Sequence, residues 1–238
     1  MKIRKGYDGS RHAPSSEVAS NVKTRGHRKE DNFAARYGGI VIKGIQKPDV
    51  VKGDERISIK GAEANIQLYL LSIKRSVDVY GQDSLMYKYQ FSGYKHRKFK
   101  LDNENYVNED LFEKYMKYAH KTAEWLRNKD NFRTIVEKVF SDNYDANKLA
   151  IMKDNNGNWE SEDAYLYDMK DVINLYINSN YRIHVTDGAK IVVRSDSREI
   201  FYLEIRGGKH HCGSMNHGVR TSLYDFLKNN LKYEVVAP

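Results

Sequence analysis

The residues best suited to chemistry lie in a short stretch between positions 49 and 60. Asp49 supplies a carboxylate, Ser58 a small hydroxyl and Lys60 an ammonium group. Carboxylate oxygens bind hard divalent cations, and an ammonium group beside such a cation steadies a water molecule. These residue types therefore favour metal-assisted hydrolysis, provided that the fold brings them to one place.

A β-hairpin is the element that must position these three side chains. Its predicted turn has a Gly53-Asp54 centre, which suits a two-residue hairpin connection. This register places Asp49 directly across from Ser58. Because side chains alternate along a strand, Ser58 and Lys60 share one face, whereas the isoleucines between and before them point to the opposite, buried face. We therefore expect Asp49, Ser58 and Lys60 to converge on one patch.

Pro48-Asp49 followed by Ser58-Ile59-Lys60 resembles the signature of the PD-(D/E)xK nuclease superfamily, which includes most type II restriction endonucleases. Ser58 stands where that signature has its second acid. The resemblance implies that Asp49 and the Ile59 carbonyl bind Mg²⁺ and that Lys60 orients the attacking water. Ser58 adds only a weak hydroxyl ligand in this arrangement.

Two carboxylates are candidates to replace the missing acid. Residues 25–33 resemble the helix that precedes the motif in many of these enzymes, often with a Glu directed at the metal, and Glu30 is the candidate there. Glu63, shortly after Lys60, is the other. The resemblance covers residues 24–72, which is under a third of the chain. The alternative interpretation is that Asp49 and Lys60 are surface residues of a hairpin that form a minor salt bridge.

Apolar spacing along the rest of the chain predicts an α/β fold, a central mixed β-sheet flanked by helices, and the resemblance makes it restriction-endonuclease-like. We expect a flexible basic arm over 1–23 and a single catalytic domain over 24–238. The predicted helices cover 24–37, 111–126, 132–140, 169–177 with Asp168 as N-cap, and 223–231. The predicted strands cover 40–43, 49–52, 55–60, 66–71, 182–185, 190–194 and 199–206.

Charge and cysteine content narrow the functional class. The net charge is +8, and residues 1–29 hold eight Lys or Arg against Asp8 and Glu17, a net charge of +6. This bias favours a polyanionic partner. One cysteine, Cys212, excludes an internal disulfide and a zinc site with several thiolates. Apolar runs fall short of the ~20 residues that a membrane span needs, and we expect a cytoplasmic protein without membrane contact.

Two polar clusters are candidates for DNA contact. Residues 94–100 interleave aromatic residues with Lys95, Arg97 and Lys98, as in a phosphate-contacting loop, although an exposed hairpin edge has the same pattern. The Gly-rich segment near 206–220 carries donors that suit the reading of base edges, although an exposed basic loop would look the same. Its candidates are Arg206, Lys209, His210, His211, His217 and Arg220.

The second cluster allows two further interpretations. A zinc site made of His210, His211, Cys212 and His217 does not match common ligand spacing. Alternatively, Glu204-Ile205-Arg206, preceded by Asp187 or Asp196, resembles a degenerate copy of the nuclease motif. It is the lesser candidate, because Arg206 stands in place of the Lys and there is no Pro-Asp start.

The sequence thus predicts a Mg²⁺-dependent type II restriction endonuclease that cuts a short double-stranded DNA sequence. We expect a homodimer, because two-fold protein symmetry matches the two-fold symmetry of a palindromic DNA site. We expect no small-molecule cofactor. The alternatives are a monomeric repair or nicking nuclease of the same fold and a DNA-binding module without catalysis.

Overall fold

The computed structural model describes residues 3–5, 16–42, 48–61, 66–141, 145–152, 163–219 and 223–238. These residues form seven helices and thirteen strands. The helices are α1 (Ser16–Tyr37), α2 (Ile73–Tyr80), α3 (Leu85–Asp102), α4 (Glu109–Leu126), α5 (Lys129–Phe140), α6 (Met169–Asn178) and α7 (Leu223–Lys228). The strands are β1 (Ile3–Lys5), β2 (Ile40–Val41), β3 (Val50–Lys52), β4 (Glu55–Gly61), β5 (Ile66–Leu71), β6 (Tyr106–Asn108), β7 (Lys148–Met152), β8 (Ala164–Asp168), β9 (Tyr181–Val185), β10 (Ile191–Ser195), β11 (Arg198–Ile205), β12 (Met215–Val219) and β13 (Glu234–Val236).

The chain divides into two compact units. The hairpin unit comprises residues 14–68, 132–179 and 219–238, and the α3 unit comprises 1–13, 69–131 and 180–218. The range 24–238, which the sequence predicts as one domain, is therefore shared between two units.

The hairpin unit contains a six-stranded mixed sheet in the order β13-β8-β7-β4-β3-β2. Strands β4 and β7 are parallel, and the neighbouring pairs are antiparallel. Helix α1 covers one face, where Phe33 and Ala34 share a core with Ile57 and Ile59. Ser58, which points to the other face, is also completely buried. Both faces of β4 are covered, as is usual for a strand in a parallel pair.

The α3 unit contains a five-stranded sheet in the order β5-β12-β11-β10-β9. Helix α3 packs closely against this sheet at Gly93, where an added Cβ would lie 2.7 Å from Tyr115 and 2.8 Å from Ile205. The hydroxyl of the buried Tyr89 donates to the Leu203 carbonyl at 3.2 Å, which ties α3 to β11. These contacts fix α3 and the β11–β12 hairpin relative to each other.

The α/β prediction is confirmed, and so is Asp168 as the N-cap of α6, since its side chain accepts from the Lys170 N–H. One local prediction is wrong, since residues 94–100 belong to α3 rather than to a loop or hairpin edge. Residues 16–23, which the sequence assigns to the arm, lie in α1. In the described part of the chain, no helix has the length and apolar character to cross a membrane.

Candidate functional site

The predicted hairpin is present with the predicted register over its three paired residues. Val50 pairs with Ile57 and Lys52 with Glu55. The turn contains Gly53 at φ +56°, a conformation that glycine adopts at little cost. The turn chemistry read from the sequence therefore fixes this part of the fold.

Asp49 does not continue the ladder opposite Ser58. Its N–H donates to the Ile57 carbonyl at 2.8 Å, although Val50 already pairs with Ile57. Two consecutive residues thus oppose one, which is the pattern of a β-bulge. The Asp49 carboxylate instead turns to the main chain, and its Oδ2 accepts a hydrogen bond from the Ile59 N–H at 2.6 Å.

As a result, the Asp49 carboxylate oxygen and the Ile59 carbonyl oxygen lie on the same side of β4. In an antiparallel pair, the N–H and C=O groups of one residue point to the same neighbouring strand. The Ile59 carbonyl is therefore directed to the side from which the Asp49 carboxylate approaches, beyond the last residue pair of β3. Lys60 follows at once. Asp49 and Lys60 are both half-buried, so neither is sealed from solvent.

Ser58 does not belong to an accessible patch, which corrects the expectation for this residue. It has 0% exposure, and its Oγ has no hydrogen-bond partner among the described residues. Its neighbour on the parallel strand β7, Leu149, is completely buried as well. A hydroxyl closed off in this way cannot bind a hydrated cation.

The structure describes one of the two acids that could replace the missing carboxylate, Glu30, but not the other, Glu63. Glu30 is half-buried on α1, and its Oε2 lies 3.3 Å from the Nδ1 of His27. Its helix packs through Phe33 on the sheet face that carries Ile57 and Ile59. Glu63 lies outside the described residues. Among the side chains that are described, no group of three or more His, Cys, Asp or Glu is placed to hold a metal ion.

Sequence reasoning did not predict that the two basic clusters would meet. Lys95, Arg97 and Lys98 lie on α3, and Arg206, Lys209, His210 and His211 lie in the connection from β11 to β12. A Cβ added to Gly207 would lie 3.1 Å from Arg97 Cδ, and one added to Gly213 would lie 2.5 Å from Tyr94. The connection therefore lies directly on the helix.

A buried amide holds this arrangement in place. Gln90 donates from Nε2 to the Gly213 carbonyl at 2.9 Å and to the Leu71 carbonyl at 2.8 Å. Next to it, a hollow of about 600 Å³ is lined by Tyr94, Lys98, Leu101, Asp102, Lys209, His210 and Cys212. Residues from both predicted DNA-contact clusters thus line one surface.

His217 is misassigned by the sequence prediction, since it is a buried residue of β12 with 0% exposure. Its Nδ1 lies 3.1 Å from the Tyr69 carbonyl, and its Nε2 lies 3.1 Å from the Tyr80 hydroxyl. Burial lowers the pKa of His217 from 6.5 to about 4. A neutral imidazole inside the sheet contacts neither DNA nor a zinc ion shared with Cys212. Arg220 lies outside the described residues.

The donors at the end of β3 suit a hard cation. Mg²⁺ keeps several of its waters and takes one or two carboxylates together with substrate phosphates. The Asp49 carboxylate and the Ile59 carbonyl fit the protein's share of that set, and Lys60 is the next residue along β4. No protein-family model matches this chain, and no curated protein matches it either.

Proposed function

We propose that this protein is a Mg²⁺-dependent endonuclease that hydrolyses phosphodiester bonds at a short sequence in double-stranded DNA, as type II restriction endonucleases do. The observation that carries the proposal is the 2.6 Å hydrogen bond from the Ile59 N–H to Asp49 Oδ2. It holds a carboxylate beside the main chain of the residue that precedes Lys60. Both β3 and β4, which position these residues, belong to the six-stranded mixed sheet of the α/β fold.

Each residue has a separate role in the proposed reaction. Asp49 and the Ile59 carbonyl would hold the metal ion, and the Ile59 N–H fixes the direction of the carboxylate. A Mg²⁺ ion held by these residues would supply a lowered pKa for its bound water and positive charge against the phosphate. Lys60 hydrogen-bonds the attacking water and a phosphate oxygen, for which a compact ammonium group is better suited than a planar guanidinium.

The second acid of the proposed site is Glu30 or Glu63. Ser58 does not serve, because it is completely buried. One carboxylate and one carbonyl are still enough protein ligands for Mg²⁺, which takes its other ligands from waters and substrate phosphates. We therefore expect a weak metal site that is completed by the substrate phosphate.

The net charge of +8 and the meeting of two basic clusters support DNA as the partner. A homodimer would cut both strands of a palindrome, because its two-fold axis matches that of the DNA. A monomeric nicking nuclease and a DNA-binding module without catalysis are the other outcomes of the test below.

The test incubates the full chain with supercoiled plasmid in Mg²⁺ and, in parallel, in EDTA. Discrete fragments in Mg²⁺ support restriction, nicked circles support a nickase, and intact but retarded plasmid supports a binding module. Lys60→Ala should abolish cleavage, whereas Lys52→Ala removes an exposed lysine from the same hairpin and should cut normally. Cleavage by Lys60→Ala at the wild-type rate would refute the proposed site.

A further inference from the structure

Helix α3 carries a row of aromatic side chains on its surface. Tyr87, Phe91 and Tyr94 are spaced four and three residues apart, and all three are half-buried. Such spacing places them on one face of a helix. The rings of Tyr87 and Phe91 are stacked with centroids 5.6 Å apart, and the Tyr94 ring follows 6.3 Å from that of Phe91. The result is a continuous aromatic row beside the hollow that Tyr94 lines.

Cations border this row. Lys95 Nζ lies 4.7 Å from the centre of the Phe91 ring, and exposed Lys98 and Lys209 line the hollow with Tyr94. Helix α3 contains five Lys or Arg and a single acid, Asp102. That acid already accepts from Lys98 Nζ at 2.5 and 2.7 Å. The local charge therefore favours a polyanion over a basic or neutral partner of the same shape.

Aromatic rings and lysines on one surface match the two chemical parts of an unpaired nucleotide. Base faces are covered by their neighbours in a duplex, whereas they are exposed in a single strand and stack on protein rings. Lysines meanwhile pair with phosphates along the same strand. A surface that met only duplex DNA would gain little from three rings in a row.

We infer that the α3 face, defined as Tyr87, Phe91, Tyr94, Lys95, Lys98 and Lys209, binds single-stranded nucleic acid without strong sequence preference. The aromatic rings stack on bases and the lysines pair with phosphates. This binding is additional to the proposed cleavage, and it requires neither Mg²⁺ nor Asp49.

The test measures fluorescence anisotropy of a labelled oligothymidylate and of a labelled hairpin duplex of equal length, both in EDTA. The single strand should bind more tightly. Tyr87→Ala should weaken that binding about fivefold or more, since one base loses its stacking partner, and Tyr87→Phe should preserve it. Equal or tighter binding of the duplex would overturn the inference, and so would unchanged affinity in Tyr87→Ala.

Salt dependence provides a second readout that does not involve ring packing. Lys95→Gln and Lys209→Gln should each lower the slope of log affinity against log salt by about 0.7, the value for one phosphate contact on a single strand. Lys117→Gln, which removes an exposed lysine from α4, is the matched control and should keep the slope. A slope unchanged in both Lys95→Gln and Lys209→Gln contradicts phosphate contact. If the protein does not cut plasmid but still binds the single strand, the result refutes the proposed nuclease function and leaves the inferred single-strand binding intact.

Discussion

Asp49→Asn separates the structural role of this carboxylate from its proposed chemical role. In the wild type, Oδ2 accepts from the Ile59 N–H at 2.6 Å in a half-buried position. Asn keeps an oxygen that accepts this bond but removes the negative charge. Ala removes both, and a donor left without an acceptor costs about 1–3 kcal/mol. Bonds to ionised groups are about twice as strong as neutral ones, so Asn should lose about half of that.

Two assays on the same variants test this reasoning. Urea unfolding should show a lower midpoint for Asp49→Ala with an unchanged m value, and a smaller decrease for Asp49→Asn. Plasmid cleavage in Mg²⁺ should fall in both variants by more than the ~10–100-fold that loss of an outer-shell metal partner costs. Wild-type cleavage by Asp49→Asn would refute Asp49 as a metal ligand. Wild-type stability of Asp49→Ala would refute the structural role of its hydrogen bond.

Three further predictions follow from individual positions. Ser58→Ala removes a buried hydroxyl that has no partner among the described residues, so it should leave cleavage unchanged and the free energy of unfolding equal or higher, as urea titration can show. His217 has a folded-state pKa of about 4 against 6.5 when unfolded, so the unfolded state binds the extra proton and stability is lost as pH falls from 6.5 to 4. The loss should approach about 3 kcal/mol, and it should be absent from the pH profile of His217→Gln. Gly93→Ala should lower the free energy of unfolding by about 1–3 kcal/mol, because the added Cβ would lie 2.7 Å from Tyr115. Gly208→Ala is the control, since a Cβ there meets open space, and its thermal midpoint should stay near the wild-type value.

The hairpin and the N-cap of α6 could be predicted because their signals are local. A Gly-Asp turn between two strands specifies its own register, and Asp168 satisfies an N–H in the first turn of its own helix. The stripes that predicted α4 and α5 are likewise read from neighbouring turns of one helix. None of these features depends on which strand or helix lies next to them in space.

The burial of Ser58 and the conformation of residues 94–100 depend on distant parts of the chain. Alternation along β4 correctly separates two faces, but the pattern within one strand does not show whether another part of the chain covers the second face. Ser58 on that face is completely buried. Residues 94–100 lack a clear apolar stripe because the buried residues of α3 include small and polar ones, among them Ser92, Gly93 and His96. The pattern of charges and rings favoured a loop or a hairpin edge, and it did not show that the segment is helical.

At the end of the β3–β4 ladder, the Asp49 carboxylate and the Ile59 N–H serve both the fold and the proposed chemistry. A ladder that continued past Val50 would occupy the Ile59 N–H with a main-chain carbonyl, and the Asp49 carboxylate would lose this hydrogen bond. Pro48, which is buried, has no N–H with which to extend the ladder, and Asp49 supplies a side-chain acceptor in place of a main-chain one. The hydrogen bond therefore orients the carboxylate before any cation arrives, which lowers the entropic cost of binding it. Since a ligand that binds only the folded state stabilises it, Mg²⁺ should raise the stability of the wild type more than that of Asp49→Asn.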